Sequence, residues 1–473
     1  MRNLFALTLL FILPFWGQAQ QEPDKKADSV FTLQEAIDYA RENNYDVAKA
    51  RLEVTKARKK VWETTAIGLP QISGKFDYSY MLTVPETLEQ FSDLGALFNP
   101  IYYSLNSVGV LNDQQLEGIL ANMPTETVSK DDIRWGATLD VTLTQLIFNG
   151  SYIVGLQASK TYQHLSKYME QQSVAELEEM ITNAYSGVLI AKESMAVLDD
   201  ILKATNTTVA EMEAMYEEGF VENTDVDQLK LTAATIETSK KNLELQIQTA
   251  REMLKLSMGM SLEHPLKLSD KLDNVLTHKE VLTTKEFDFD VTKNINYQLL
   301  ETQEKLTELD LKNSKADFLP TVAAFYNHQE NFNDNSFNLT PPDVVGVSVN
   351  IPIFSSWGRM SKVAQKEIEL EQTRLDKAKA TSGLQIQYRN TLNQYLTAKN
   401  TYLNNKSNME LARRIYEKTQ IKNKEGVASS FDLSQAQTQF LQAQGNYFQS
   451  VMLLIEAKAG LDKLSHPYQP LND

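Results

Sequence analysis

The chain of 473 residues contains no cysteine. That excludes disulfide staples, metal centres built on thiolate, and a lipid attached through an N-terminal thiol. Proline is scarce, and none occurs over 125–264 or 353–466. Interior proline removes a helical hydrogen bond and clashes with the preceding turn, so both runs are free to form very long helices. After the first 20 residues or so no apolar run approaches the roughly 20 residues of a membrane-spanning helix. Basic charge is also in deficit: 46 Lys and Arg stand against 62 Asp and Glu, a net charge of −16. Such a surface repels the phosphates of nucleic acid. No phosphate loop, nucleophile elbow or paired set of catalytic acids is recognisable. The five histidines, at 164, 264, 278, 328 and 466, are scattered without ligand spacing. These absences predict a protein that is not an enzyme and has no cofactor or metal.

What is present begins with an address. Arg2, an apolar core from Leu4 to Trp16 and the small-x-small site Gly17-Gln18-Ala19 predict a secretory signal peptide over 1–19. An exported chain without a spanning helix is either soluble or a membrane β-protein.

The rest is written twice. Leu69-Pro70 recurs as Leu319-Pro320, Ile147-Phe148 as Ile353-Phe354, and Glu218-Gly219 with Asp225 as Glu425-Gly426 with Asp432. A duplication of this length predicts one supersecondary unit built twice with pseudo-symmetry. In the first copy Leu177, Ile181, Ala184, Val188, Ala191, Met195, Leu198, Leu202, Thr205, Val209, Met212 and Tyr216 step by four and three, a heptad seam. A helix from Ser151 to Glu217 would be roughly 100 Å long. After Gly219 the seam resumes from Asp225 through Leu229, Ala233, Ile236, Leu243, Ile247, Ala250 and Leu254, predicting an antiparallel helical hairpin. The second copy repeats it as a helix from Ser361 to Lys424, a turn from Gly426 to Phe431 and a return marked by Leu433, Ala436, Phe440, Tyr447, Val451, Leu454 and Leu461.

Between the helices lie four strand signals. Ile72, Phe76, Tyr78 and Tyr80 alternate with Ser73, Lys75, Asp77 and Ser79. Leu139, Val141 and Leu143 alternate with Asp140, Thr142 and Thr144, and Val345, Val347, Val349 and Ile351 with Gly346, Ser348 and Asn350. The stretch from Thr321 to His328 is less regular. One apolar and one polar face over about ten residues, with aromatics near the ends, is the pattern of a membrane barrel strand. Asp140, Thr142 and Thr144 are expected to face a lumen, and their apolar neighbours outer-membrane lipid. Four strands cannot close a barrel, and lipid tolerates no open edge, so several chains must share one barrel. Three would give twelve strands.

The order of these junctions, with the opening Thr32-Leu33-Gln34-Glu35-Ala36-Ile37 and the two tips at one spacing, resembles the TolC family of outer-membrane efflux proteins over about Thr32 to Leu464. The resemblance implies a mainly α fold with a membrane β-barrel. Duplicated long antiparallel α-hairpins would form a periplasmic α-barrel, and four transmembrane strands per protomer a trimeric twelve-stranded barrel. It divides the chain into N-terminal periplasmic helices (20–67), a first β-hairpin (68–148) with an extracellular insertion (85–130), a first long α-hairpin (149–262), a connecting segment and helix (263–317), a second β-hairpin (318–354), a second long α-hairpin (355–464) and a tail (465–473). It implies a homotrimer in the outer membrane, a periplasmic adaptor, an inner-membrane pump, and passive conduction of substrate in efflux or type I secretion. Gly219 and Gly426 mark the tips expected to dock the adaptor. Asp225 and Asp432 begin helices, where a carboxylate caps backbone N–H groups and favours the dipole. In a trimer they would also ring the periplasmic entrance. The family's best-known members carry a second aspartate three residues on, where this chain has Gln228 and Gln435; Asp227 supplies one in the first copy. The competing reading from another class is a non-conducting periplasmic coiled-coil scaffold, which would not need the alternating strands.

Overall fold

The computed structural model describes residues 29–83, 94–121, 134–278, 289–332 and 341–465. The signal peptide, parts of the 85–130 insertion and nearly all of the 465–473 tail lie outside them.

Strand β1 (Ser29–Phe31) leads into helices α1 (Leu33–Asn43) and α2 (Tyr45–Ile67). The opening motif is a helix start: the Thr32 hydroxyl accepts from the Glu35 N–H at 3.3 Å, and the Glu35 carboxylate accepts from the Thr32 N–H at 2.8 Å. That reciprocal cap satisfies two of the orphan donors at a helix N-terminus. Strands β2 (Gln71–Tyr80) and β3 (Trp135–Phe148) bracket the insertion, which contains α3 (Leu94–Ser107) and α4 (Asp113–Ala121). Helix α3 does not follow from periodicity, since its apolar residues form a run interrupted by Pro100.

Helix α5 (Gly150–Glu217) is one unbroken element of 68 residues, and α6 (Asn223–Met258) returns from it. Asn149 caps α5, its Oδ1 accepting the Tyr152 N–H at 2.8 Å. The second copy gives α8 (Ile295–Ala316), β5 (Thr321–Asn331), β6 (Asp343–Asn350), α9 (Gly358–Lys424) of 67 residues and α10 (Ser430–Ser465). Both Leu-Pro junctions close alike: Gly68 N–H donates to Thr65 and Leu69 N–H to Ala66, as Phe318 does to Lys315 and Leu319 to Ala316. The expected helix starts are each corrected by a residue or more, because α6 begins two residues before Asp225 and α10 two residues before Asp432.

The connecting segment holds two elements that periodicity misses, β4 (Leu266–Leu268) and α7 (Leu272–His278). Strand β4 pairs in parallel with β1. Each is three residues long, too short for a period-2 signal, and the partners are far apart in sequence.

The chain divides into two units. One comprises Met1–Asn44, Met180–Leu282 and Tyr402–Ile455; the other Tyr45–Glu179, Thr283–Thr401 and Glu456–Asp473. In the first, the seams of both hairpins meet. Ile201 and Met212 of α5, Val226, Leu229 and Ile236 of α6, Tyr416 of α9, and Leu433 and Phe440 of α10 form one buried cluster. Tyr185 of α5 is fully buried there. Its hydroxyl donates to the Phe31 carbonyl at 2.8 Å and lies 3.1 Å from Asp270 Oδ2, which also accepts the Leu33 N–H at 2.7 Å. Burial pushes the Tyr185 phenol well above its ordinary pKa, so it stays a donor.

The second unit contains the sheet, an antiparallel meander in the order β2-β3-β5-β6. Among the described residues it is open at both edges.

Candidate functional site

Two regions carry the residues expected to function: the hairpin tips and the sheet.

At both tips a glycine sits where an L side chain would be strained. Gly219 has φ +76° and Gly426 φ +71°. Gly219 N–H donates to Tyr216 and Phe220 N–H to Met215, and Gly426 to Asn423 and Val427 to Lys422. These are paired 5→2 and 6→1 closures, in which the left-handed residue lets the chain satisfy the last helical carbonyls. The turn leaves Phe220 and Val427 each 76 % exposed, with Phe431 also exposed.

The tip aspartates are both third residues of their helices, in different settings. Asp432 Oδ2 accepts from the Ser429 N–H at 3.0 Å and its hydroxyl at 2.7 Å, while the Asp432 N–H donates to Ser429 Oγ. The Ser429 hydrogen bonds hold this carboxyl below the ordinary carboxylate pKa. Ser429-x-x-Asp432 is therefore a reciprocal cap, with Ser429 at the cap position and Asp432 at the third helical residue. In the first copy Glu222 stands at the cap position with no side-chain capping bond, and Asp225 is half-buried in the first turn. Asp227 accepts from Asn223 Nδ2 at 3.0 Å. Gln228 and Gln435 diverge: Gln228 Nε2 reaches Ser434 Oγ of the other hairpin at 3.5 Å, whereas Gln435 is exposed. The tips also differ in charge. From Glu211 to Lys230 seven carboxylates face one lysine, and from Glu417 to Asp432 there are three of each. Exposed pairs tie the helices together, Glu213 to Lys230 at 2.7 Å, Asp199 to Lys240 at 2.8 Å and Glu211 to Lys424 at 3.2 Å.

In the sheet the register brings Asp140, Thr142 and Thr144 onto one face. Lys75, Ser73 and Gln71 of β2 lie opposite them on one side, and Gln329, Asn327 and Phe325 of β5 on the other. Polar side chains bond across the strands, Asn327 Nδ2 to Thr142 Oγ1 at 2.8 Å and Gln329 Nε2 to Asp140 Oδ1 at 2.9 Å. The opposite face carries Ile72, Leu143, Tyr326 and Val345 in one row and is open, with Ile72 76 % and Val345 82 % exposed. This face is not apolar throughout. One row further along, His328 Nδ1 lies 2.8 Å from Asp343 Oδ1, which also accepts the Tyr326 hydroxyl at 2.6 Å. That cluster explains the weak alternation of β5 in the sequence.

Among the described residues no helix is long and apolar enough to cross a membrane. Nor does any group of three or more His, Asp or Glu there stand ready to hold a metal.

Two hairpins of very long helices, each preceded by an antiparallel strand pair, define a recognised class of fold. The sequence matches the model of the outer membrane efflux protein family over residues 36–260 and 301–465, and the chain belongs to that family. Membership places it among export proteins rather than enzymes. No curated protein matches the sequence. The fold is similar to that of CusC, described in crystal structures of folding and transmembrane channel formation, at a TM-score of 0.71 and 12 % identity, covering 95 % of this chain and 96 % of that one. It is similar to the outer membrane protein VceC from Vibrio cholerae at 0.67 and 13 %, covering 92 % and 96 %. The CmeC outer membrane channel of Campylobacter jejuni matches at 0.67 and 15 %, covering 93 % and 89 %.

Proposed function

We propose that three copies of this chain form the outer-membrane exit duct of an envelope-spanning export machine. The observation that carries this reading is the four-stranded sheet, open at both edges, with a hydrogen-bonded polar ladder on one face and exposed apolar side chains on the other. Because successive strands are antiparallel, β6 runs opposite to β2, so β6 of one copy continues the pattern against β2 of the next. Closure abolishes the edges that lipid cannot solvate. Asp140, Thr142 and Thr144 then line the lumen, and Ile72, Leu143 and Val345 meet lipid. Large apolar residues left exposed along the long helices, such as Leu231 and Leu245 of α6 and Leu375 and Ile386 of α9, support packing between copies. The helical portion lies in the periplasm. The tips receive a periplasmic adaptor through Gly219, Gly426 and the apolar residues beside them, and an inner-membrane pump supplies the energy. Asp225, Asp227 and Asp432 set the charge of the periplasmic entrance. The scaffold alternative leaves the polar ladder without a role.

The test is reconstitution of the detergent-purified protein in planar bilayers. Discrete, ohmic conductance steps from a trimeric species are expected. A water-soluble monomer that gives no current would sink the reading.

A further inference from the structure

A cavity of about 600 Å³ lies between the two hairpins in the unit that holds the tips. Its size falls within the roughly 300–1,000 Å³ of small-molecule sites. Gln444 of α10 lines it, is 4 % exposed, and its Nε2 has no hydrogen-bond partner. An unpaired buried donor costs the desolvation of that group, so Gln444 is free to donate to an acceptor that enters the cavity. The wall beside it is aromatic. Tyr416 and Phe440 stack at 5.7 Å and 12°, and Tyr447 and Phe448 meet at 5.3 Å. The rim is acidic. Arg413 is matched by Glu417 at 2.9 Å, which leaves Glu193 and Asp200 on the rim with Lys271. Glu193 and Asp200 are exposed and form no ion pair among the described residues.

We propose that this cavity binds a flat aromatic cation carrying an ether or carbonyl oxygen. Each part of the ligand answers one feature. The oxygen accepts from Gln444 Nε2, the ring system lies against the part-exposed Tyr447 and Phe448 rings, which attract cations through their quadrupoles, and the positive charge is matched by the rim carboxylates. The site is distinct from the tips and the sheet, and it does not depend on conduction.

The probe is berberine, a planar isoquinolinium with ether oxygens whose fluorescence rises when it leaves water. The full chain in detergent is titrated against a blank of empty micelles. Saturable binding at one berberine per chain is expected, with the anionic dye 1-anilinonaphthalene-8-sulfonate about tenfold weaker or worse. Glu193→Gln with Asp200→Asn should weaken berberine about tenfold by removing two rim charges. Gln444→Leu should weaken it about fivefold, the scale of one neutral hydrogen bond. The carboxylate pair is exposed, so that variant decides the matter even if Gln444→Leu fails to fold. No saturable binding, meaning the cavity holds only water, would overturn the proposal. So would berberine affinity unchanged in the carboxylate variant, or the anion bound as tightly. A protein that conducts but fails these titrations loses this inference alone.

Discussion

At the scale of single residues, Glu304 of α8 shows how the long helices are tied together outside their seams. It accepts from Lys377 Nζ at 3.0 Å and Arg374 Nε at 3.2 Å, both on α9, and Lys377 also lies over the Tyr297 ring at 5.0 Å. The Lys377 hydrogen bond pulls the Glu304 carboxyl below its ordinary value of 4.5. A carboxyl whose folded pKa is depressed stabilises the fold above its unfolded pKa and loses that contribution as pH falls through the lowered value. Glu304→Gln should therefore cost up to about 1 kcal/mol at neutral pH, and the gap in melting temperature between variant and parent should close as the buffer is acidified below 4.5. A constant gap would show that the charge of Glu304 is irrelevant. The tip carboxylates belong to the same scale. Seven acids against one lysine at the first tip, and an even count at the second, make the first the stronger cation attractor. Asp225→Asn with Asp227→Asn should lower cation selectivity in single-channel recordings more than Asp432→Asn does, at unchanged helix content. Equal effects of the two variants would assign the selectivity elsewhere.

At the scale of elements, β3 makes the sharpest prediction, because period 2 forces neighbouring residues to opposite faces. On the proposed membrane reading, the composition of each row ranks the outward positions. Val141 shares its row with Gly74 and with His328, which is bonded to Asp343, whereas Leu143 shares its row with Ile72, Tyr326 and, beyond it, Val345. Arginine at Leu143 should cost up to roughly 2–4 kcal/mol in lipid, and arginine at Val141 less. Arginine at Thr142 should cost about 1 kcal/mol, the bond from Asn327, and change conductance instead. Trimer yield from refolding into detergent micelles measures all three. Equal tolerance at 142 and 143 would remove this strand from the membrane.

At the scale of the whole molecule, the proposed trimer rests on the two open edges of the sheet. Its sheet ends on β2 and β6 with unpaired backbone groups, and Ile72 and Val345 stand open on those edges. The absence of cysteine allows a clean test. Ser73→Cys on β2 and Ser348→Cys on β6 share the polar face, so a short bismaleimide should join copies of the double variant edge to edge. Covalent dimers and trimers, and nothing larger, are expected on denaturing gels, with neither single variant passing dimer. An open ladder of higher species would mean that the sheets add end to end without closing.

The sequence by itself determined the elements that depend on near neighbours. Heptad steps without proline set the long helices, Gly219 and Gly426 set the turns, and alternation set β2, β3 and β6, because each signal repeats within one or two turns of chain. The duplication carried the plan from one copy to the other, down to the two Leu-Pro junctions. Tertiary structure decided what rests on distant partners. The β1–β4 ribbon and the bonds from Tyr185 and Leu33 to Asp270 join segments with no local period. The same holds for the seating of Gln228 against Ser434 while Gln435 stays exposed, and for the Gln444 cavity. Their energies come from groups brought together only when segments far apart in the chain pack, and nothing in the local order of residues records that meeting.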